Sequence, residues 1–429
     1  MKCSYACQTS AHVQSRRGFL GTLAAGLGGS TAGLALPAFV QGAVASQLHA
    51  RQKRILTIFL HGGVSQLESW DPKPNTDTGG PLRAIPTSVP GVHISELLPQ
   101  TARQMHHLSI VRSVNTHNGD HSRGQYEMTT GRKREPAADY PHLGAVAARM
   151  LAPERFPLPA HIFIKGGGSS GSGPAYLGPR FAAVELDGVK PPQYTERPAS
   201  ISETTDARRN AFRQRANDRF AAHRRTADTD AYTFSFEQAQ QLLAQRDVFD
   251  LSKEPVKEHE RYGRSEFGQH CLLARRLLEQ GIPFVQVNHS NYDTHFENFD
   301  FHIEQLGEFD RPFATLIADM AQRGLLADTL VVVMSEFGRT PKINRNYGRD
   351  HWGTAWSVAL AGTGLQAGAV IGKTNANGTL VTEREVDHGH LFHTYLRAVG
   401  VDSQTELVIN GRTLPIADPA KTAITELLA

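Results

Sequence analysis

Histidines and carboxylates follow four apolar runs of this sequence, close to the point where each run ends. The residues are His61, His121, Asp293, His295, Glu336, Asp350 and His351. Imidazole nitrogen and carboxylate oxygen are ligands for divalent ions in proteins, and a bound ion can support hydrolysis. The sequence therefore predicts at least one site for a divalent ion, with zinc, manganese, magnesium and calcium all left open.

Two arginines flank the last of these groups. Arg339 and Arg349 carry planar guanidinium groups, which suit bidentate binding of phosphate, sulfate or carboxylate. The alternative is that they form ion pairs with Glu336 or Asp350. The sequence leaves both possibilities open.

Strand and helix patterns alternate along the chain and must position these side chains. Short runs rich in apolar or β-branched residues predict strands at 55–60, 108–111, 161–164, 284–287, 330–334 and 358–360. Helical patterns include 265–280, 303–323 and 391–399. The alternation predicts an α/β fold with a mostly parallel sheet between helices. Because the carboxyl ends of parallel strands open at one edge, we expect all four groups to meet there.

One segment interrupts this alternation. Residues 187–260 are rich in charge and poor in strand signals, and 206–225 contains seven arginines. Phe212 and Phe220 are its few apolar anchors, so we predict a solvated surface helix over 206–225. We predict a single domain over 46–429 with a charged helical insertion at about 187–260.

The N-terminus has the order of an export signal. Arg16 and Arg17 precede an uncharged stretch rich in Gly, Ala and Leu, and a small-residue cleavage site ends at Ala45. The paired arginines indicate the twin-arginine route. We expect residues 1–45 to be a signal peptide read by the twin-arginine translocase, the mature protein to be periplasmic or extracellular, and no stable membrane anchor to remain.

Charge excludes one class of partner. The chain has 45 Lys+Arg and 42 Asp+Glu, and three of the basic residues lie within the first 45 residues, which contain no acid. The remainder is therefore neutral, whereas nucleic-acid binding needs a cationic surface. We expect no nucleic-acid partner.

A serine esterase is a minor alternative. Ser169 formally fits Gly-x-Ser-x-Gly, and His61-Gly62-Gly63 follows a strand as the oxyanion loop of lipases does. The nucleophile elbow must lead into a helix, which Gly171, Gly173 and Pro174 cannot begin. Asp387-His388-Gly389-His390 precedes a helical pattern and is predicted to be its N-cap, so His390 is left outside the site.

Several segments together resemble a known family. They are the twin-arginine leader and residues 62–74, 293–295, 323–341 and 348–352. These segments are similar to exported proteins of the domain-of-unknown-function family 1501 (DUF1501), over nearly the whole mature chain. The resemblance places the chain in the alkaline-phosphatase superfamily, beside sulfatases, and implies a two-metal α/β fold that cleaves phosphate or sulfate esters.

The resemblance also implies roles for particular residues. Asp293 and His295 resemble the family's metal-binding loop pair, Glu336 takes the place of a late-strand Asp, and His351 resembles a downstream ligand. His121 falls at the nucleophile position, with Ser122 beside it. Three departures from the family pattern are His61 in place of an Asp, Phe337 in place of a His, and His121 in place of the nucleophile. They imply either one metal rather than two, with His121 as a ligand or Ser122 as the attacking group, or a metal-binding scaffold that has lost hydrolysis.

The leading prediction is an exported metal-dependent hydrolase that acts on a sulfate or phosphate ester, either a small anionic ester or a sulfated or phosphorylated glycan. The predicted catalytic residues are Ser122, His121, Arg339 and Arg349, and the predicted ligands are Asp293, His295, Glu336, His351, His121 and His61. Asp350 is a further ligand or orients one. The alternative is a non-catalytic, metal-containing binding protein of the same fold.

Overall fold

Eight strands form the central sheet of the protein in this computed structural model, which describes residues 52–429 except 137, 154–155, 169–172, 192–196, 223–226 and 410. In chain order they are β1 (Arg54–Leu60), β2 (Leu108–Val114), β3 (His161–Ile164), β4 (Val184–Leu186), β5 (Phe284–His289), β6 (Thr329–Met334), β7 (Trp356–Gly362) and β8 (Val370–Ile371). Each predicted strand corresponds to one of these, and the two short strands β4 and β8 were not predicted.

The sheet has the order β8-β2-β7-β6-β1-β5-β3-β4. Strand β7 is antiparallel to both of its neighbours, β2 and β6, and the other neighbouring pairs are parallel. The prediction of a mostly parallel sheet is confirmed.

Nine helices accompany the sheet in the described part of the chain. They are α1 (Pro99–Arg103), α2 (His121–Thr130), α3 (Leu143–Leu151), α4 (Glu203–Ala221), α5 (Ala227–Ala244), α6 (Val256–Tyr262), α7 (Glu266–Glu279), α8 (Asn298–Gln322) and α9 (His388–Ala398). Short two-stranded ribbons pair Ala84–Pro86 with His93–Ser95, Gly338–Arg339 with His351–Trp352, Lys373–Thr374 with Val381–Glu383, and Glu406–Ile409 with Arg412–Pro415.

The core lies on both faces of the sheet. Every residue of β1 is buried, and its side chains alternate between the two faces as a strand requires. Leu56 and Ile58 join the apolar cluster that includes α7 and α8. Ile55 and Phe59 join the cluster that includes α2, α3 and α9. Burial on both faces explains why the strands read as continuous apolar runs.

Strand direction decides which loops meet. Because β1, β2, β5 and β6 are parallel, the segments that follow them leave the sheet at the same edge. Strand β7 runs the other way, so the residues that precede Trp356 lie at that edge as well. The antiparallel direction of β7 thus explains how His351, which comes before a strand, joins residues that follow strands.

The charged segment contains α4 and α5. Helix α4 is largely exposed, as expected, but Phe212 and Phe220 are 69% and 50% exposed. The prediction that these two rings anchor the helix is therefore wrong. With so few apolar residues on this helix, no side of it offers a stripe that a core could bury.

All described residues belong to one compact unit that runs from His49 to Ala429. The predicted signal peptide at 1–45, with its cleavage site at Ala45, lies outside the described residues. Within the described ranges, no helix combines the length and the apolar character that crossing a membrane requires.

Candidate metal centre

One helix end, one loop and one two-stranded ribbon bring the candidate ligands together. His121 is the first residue of α2, whose N-cap Asp120 accepts a hydrogen bond from the Arg123 amide at 2.9 Å. Asp293 and His295 lie in the loop between β5 and α8. His351 lies in the ribbon that precedes β7.

Imidazole Nε2 atoms converge on the carboxylate of Asp293. His295 Nε2 and His351 Nε2 lie 3.1 and 3.2 Å from Asp293 Oδ1, and 2.9 Å from each other. His121 Nε2 lies 3.3 Å from Asp293 Oδ2. The sequence-predicted residues Asp293, His295, His351 and His121 therefore form one cluster.

The other nitrogen of each imidazole faces an acceptor. His121 Nδ1 lies 2.7 Å from Glu336 Oε1, His295 Nδ1 lies 2.8 Å from Asp350 Oδ1, and His351 Nδ1 lies 2.6 Å from the carbonyl oxygen of Gly119. A proton on each Nδ1 satisfies these contacts and leaves Nε2 as the coordinating atom. Histidines that bind metals are commonly fixed in this way.

Glu336 holds His121 rather than facing the cluster. This side chain is fully buried, and Oε1 also accepts a hydrogen bond from the Gly62 amide at 2.9 Å, while Oε2 accepts one from Ser335 Oγ at 2.9 Å. Burial opposes ionisation, but the hydrogen bond with His121 holds the pKa of Glu336 below its usual value. We therefore assign Glu336 to orienting His121, whereas the sequence predicted a ligand.

Asp350 has a comparable position behind His295. The hydrogen bond from His295 lowers the pKa of the Asp350 carboxyl group, which also accepts a bond from Asn344 Nδ2 at 3.1 Å. Asp350 was expected either to bind the metal or to orient a ligand, and the structure favours the second role, with His295 as that ligand.

The cluster is negatively charged and favours a cation between its members. Hydrogen bonds with Asp293 and Glu336 raise the pKa of His121 to about 9. Burial opposes ionisation of Asp293, but hydrogen bonds from His121, His351 and Arg339 hold the pKa of Asp293 well below its usual value. The two carboxylates therefore stabilise positive charge at His121, either as a proton or as an ion beside it.

The geometry fits a divalent ion. His121, Asp293 and His351 offer ligand atoms that all lie within 4.8 Å of one another. Atoms that share an ion at about 2.1 Å are spaced roughly 3.0–3.5 Å apart, close to the separations at His295 and His351. His121 Nε2 is a buried atom, and its contact with Asp293 Oδ2 is long, at 3.3 Å. A cation would satisfy this nitrogen.

Arg339 contacts the cluster from the buried side of Asp293. Its guanidinium is fully buried and donates to the carbonyl oxygens of Gly62, Gly63 and Arg349 and, at 2.5 Å, to Asp293 Oδ1. These internal acceptors occupy the N–H groups of the guanidinium that was predicted to bind a substrate anion. Arg339 therefore positions Asp293, and the prediction that it contacts the substrate is corrected.

Arg349 lies outside the cluster. Its side chain is fully buried, forms an ion pair with the buried Glu68 at 2.8 Å, and also donates to the carbonyl oxygens of Thr340, Pro341 and Thr78. The structure contradicts the prediction of a catalytic Arg349, because a buried guanidinium with an internal carboxylate has no donor facing the site. The expected alternative partners, Glu336 and Asp350, are not the residues it pairs with.

Two other predicted residues lie beside the cluster. The His61 ring stacks parallel to that of His121 at a centroid distance of 6.3 Å, outside the group of converging ligand atoms. Ser122 is exposed in the first turn of α2. Neither has a described hydrogen bond with the converging atoms.

Several groups that support the cluster could not be assigned this role from the sequence. Phe337 is buried and packs its ring 4.8 Å from His121 and 4.5 Å from His351. Gly63 lies so close that a Cβ atom there would be 2.5 Å from this ring. Nothing in the sequence marks the carbonyl of Gly119 or the hydroxyl of Ser335 as part of the site, except that Ser335 precedes Glu336 directly and Gly119 lies two residues before His121.

The glycine loop that follows β1 and the Asp387-His388-Gly389-His390 segment both have structural roles. The amides of Gly63 and Val64 donate to Ser335 Oγ, and that of Gly62 donates to Glu336, so this loop has no amide free for an oxyanion. Ser169 lies outside the described residues. Asp387 is confirmed as the N-cap of α9, in a capping box with His390.

The fold and the site together define an α/β protein with a histidine and aspartate cluster at the carboxyl edge of its sheet. The chain belongs to the family described as protein of unknown function (DUF1501), whose model matches residues 52–428. This match confirms the resemblance found in the sequence.

No curated protein sequence matches the chain. Among solved structures, a sulfatase from Pseudoalteromonas sp. is 13% identical over 91% of this chain and 78% of its own, with a TM-score of 0.41. The alkaline phosphatase of the Antarctic bacterium TAB5 is 13% identical over 82% of this chain and 98% of its own, with a TM-score of 0.37. The lipoteichoic acid synthase LtaP from Listeria monocytogenes is 7% identical over 86% and 75%, with a TM-score of 0.36.

Proposed function

We propose that the chain is a metal-dependent hydrolase of sulfate or phosphate esters. The observation that carries this proposal is the convergence of three imidazole Nε2 atoms on the carboxylate of Asp293. The cluster is open to solvent, since 47% of the Asp293 side chain is exposed. A centre of this kind can take both an ion and an anionic substrate from solution.

The ligand set favours zinc among the ions considered. Three imidazole nitrogens and one carboxylate are typical zinc ligands, whereas calcium and magnesium prefer sites built from oxygen. His121, Asp293 and His351, whose ligand atoms lie within 4.8 Å of one another, would hold the ion, and His295 Nε2, 3.1 Å from Asp293 Oδ1, is a fourth candidate ligand. When bound, it would polarise the ester oxygen and lower the pKa of a coordinated water.

The residues of the chain perform the remaining tasks. Glu336, Asp350 and the Gly119 carbonyl fix the three imidazoles, so that Nε2 of each faces the centre. Arg339 fixes the carboxylate of Asp293. The N-terminus of α2 begins at His121, and its partial positive charge favours a substrate anion beside Ser122.

The attacking group is proposed to be water rather than Ser122. Activation of a serine hydroxyl needs a base within hydrogen-bond reach, and Ser122 has no described bond to an imidazole or carboxylate of the cluster. Ser122 is therefore proposed to contact the substrate anion from the exposed first turn of α2.

The proposal is tested with aryl sulfates, phosphomonoesters and phosphodiesters, each assayed with zinc, manganese, magnesium and calcium. We expect turnover of at least one ester with zinc, loss of that turnover in Asp293→Asn, and retention within about tenfold in Ser122→Ala, because removing a true nucleophile costs orders of magnitude more. Absence of turnover with every combination would contradict the proposal.

A metal-containing binding protein is the second candidate. The observation that favours it is the burial of both predicted anion-binding arginines, which leaves neither guanidinium free for a developing charge. Binding of sulfate or phosphate esters without turnover would support this candidate.

Export belongs to the proposal as well. The leader at 1–45 supports delivery by the twin-arginine translocase to the periplasm or beyond, with the ion already in place. The substrates proposed are small anionic esters or sulfated or phosphorylated glycans. Fractionation of cells that express the full chain tests the location, and an Arg16→Lys, Arg17→Lys double variant should abolish export.

A further inference from the structure

Two large aromatic side chains stand exposed next to the candidate metal centre. Phe296 directly follows His295 and is 55% exposed, and Tyr347 lies three residues before Asp350 and is 69% exposed. One edge contact, between the rings of Phe296 and Phe301 at a centroid distance of 5.7 Å, still leaves more than half of Phe296 exposed. An exposed aromatic ring leaves a large apolar area in water, and such exposure beside a candidate site is typical of binding surfaces.

The same backbone segments that carry the cluster also carry these rings. Phe296 and Tyr347 form an antiparallel bridge, and the amide of Asn298 donates to the Tyr347 carbonyl at 3.0 Å. At Gly348 a Cβ atom would lie 2.0 Å from backbone atoms of His295, so the two segments touch through their backbones. The rings are therefore held by the structure that holds His295 and Asp350.

Tyr347 adopts a conformation that favours glycine. Its φ is 58°, in the left-handed region, where a bulky side chain costs free energy that glycine would avoid. An exposed tyrosine does not recover this cost through packing within the chain. Strain of this kind at a site is an indication that the side chain serves binding.

An ester has an anionic group and an organic group, and the two need different surroundings. The anion would lie at the histidine cluster, so the organic group must extend over the adjacent rim. Near His295 that rim offers Phe296 and Tyr347, with the exposed Arg345 and Asn346 directly before Tyr347 in the chain. Aromatic faces with polar neighbours suit a ring that has a flat apolar face and a polar edge.

We infer that Phe296 and Tyr347 bind the ring of the substrate's organic group, a sugar or an aryl ring. The inference rests on the proposed function and extends it, because it assigns the substrate a ring beside the ester. Preference for ring-bearing esters would then come from this surface, while the cluster binds the anion of any ester.

The test uses binding to the zinc-loaded chain, measured by calorimetry with three non-hydrolysable ligands: methylphosphonate, phenylphosphonate and a hexose phosphonate. We expect at least one of the two ring ligands to bind about tenfold more tightly than methylphosphonate, as one or two aromatic contacts would give. Phe296→Ala and Tyr347→Ala should reduce this preference to near unity without changing the affinity for methylphosphonate. Tyr347→Phe should retain it, and Phe212→Ala, which removes an equally exposed ring on α4, should leave it unchanged.

The outcomes separate this inference from the proposed function. Equal binding of all three phosphonates would overturn the ring surface and leave the anion site intact, whereas no binding of any phosphonate would overturn both. Preference for only one ring ligand would support the inference and identify the ring as sugar or aryl. Tyr347→Gly should keep or raise the thermal midpoint while losing the preference; a lowered midpoint would mean that Tyr347 serves the fold.

Discussion

His295 Nε2 and His351 Nε2 lie 2.9 Å apart, although the two residues are separated by 56 positions in the chain. Their Nδ1 atoms face Asp350 and the Gly119 carbonyl, so neither Nε2 needs to carry a proton. Two lone pairs at this distance repel each other unless a cation lies between them or one ring is protonated. This relationship is the strongest physical reason for placing an ion at the cluster.

Glu336 should tune metal affinity without binding the metal. In Glu336→Gln the side chain keeps its shape and its contact with the Gly62 amide, but loses the negative charge that fixes His121. We expect zinc affinity to fall by about 10–100-fold, because this is the usual effect of removing a residue that hydrogen-bonds to a metal ligand. Competition with a chromophoric chelator measures the change. Glu385→Gln, at an exposed carboxylate, is the matched control; equal affinity in both variants would contradict the assignment.

Arg349 should matter for stability rather than for the chemistry. Arg349→Met leaves Glu68 as an unpaired buried carboxylate, which typically costs about 3–5 kcal/mol of unfolding free energy. Urea denaturation measures the loss. The double variant Glu68→Gln, Arg349→Met should recover part of it, and the folded fraction should bind zinc as the wild type does. A stable Arg349→Met protein that had lost anion binding would instead restore the sequence-based prediction for this residue.

Buried histidines should make the fold sensitive to acid. Burial lowers the pKa of His161, His270 and His388 to about 4 each, below the value of about 6.5 for an unfolded chain. The unfolded state therefore takes up protons first as the pH falls. Stability from these groups is fully present above pH 6.5 and declines between pH 6.5 and 4, by up to about 3 kcal/mol for each histidine.

His161 gives the sharpest test of this acid sensitivity. Its ring packs against His142 and Phe284, and its Nδ1 lies 3.1 Å from the Phe181 carbonyl oxygen. His161→Gln should unfold more easily at pH 7 but show a shallower loss of stability between pH 6.5 and 4. The measurement is urea denaturation across this range with a chelator present, and an unchanged slope would count against a neutral buried His161.

The sequence predicts the position of the cluster because the geometry of a parallel sheet indicates which distant segments meet, and local patterns alone do not. Residues after β1, β2, β5 and β6 meet because the strands are parallel and their ends open together. His121, Asp293, His295 and His351 could thus be grouped from apolar runs alone, His351 because it follows the run of β6 in the sequence. The antiparallel direction of β7, which places the residues before Trp356 at the same edge, is not revealed by a short apolar run.

The roles within the cluster could not be predicted in the same way. Glu336 and Arg349 carry the residue types that a metal and an anion prefer, and only contacts show that both face the interior. The partner of Arg349 is Glu68, 281 positions away, and no periodicity connects the two. Phe212 and Phe220 were misassigned for a related reason, since an apolar residue in a charged helix does not reveal whether a surface exists to cover it.

Metal content is the most direct test of the central claim that the cluster holds a divalent ion. The full chain, exported through its own leader and purified without chelators, should contain about one zinc ion per chain by elemental analysis. His351→Gln and Asp293→Asn should lose this ion, while Phe212→Ala retains it. Wild-type protein that contains no divalent ion, and takes up neither zinc nor manganese, magnesium or calcium on dialysis, would contradict the claim.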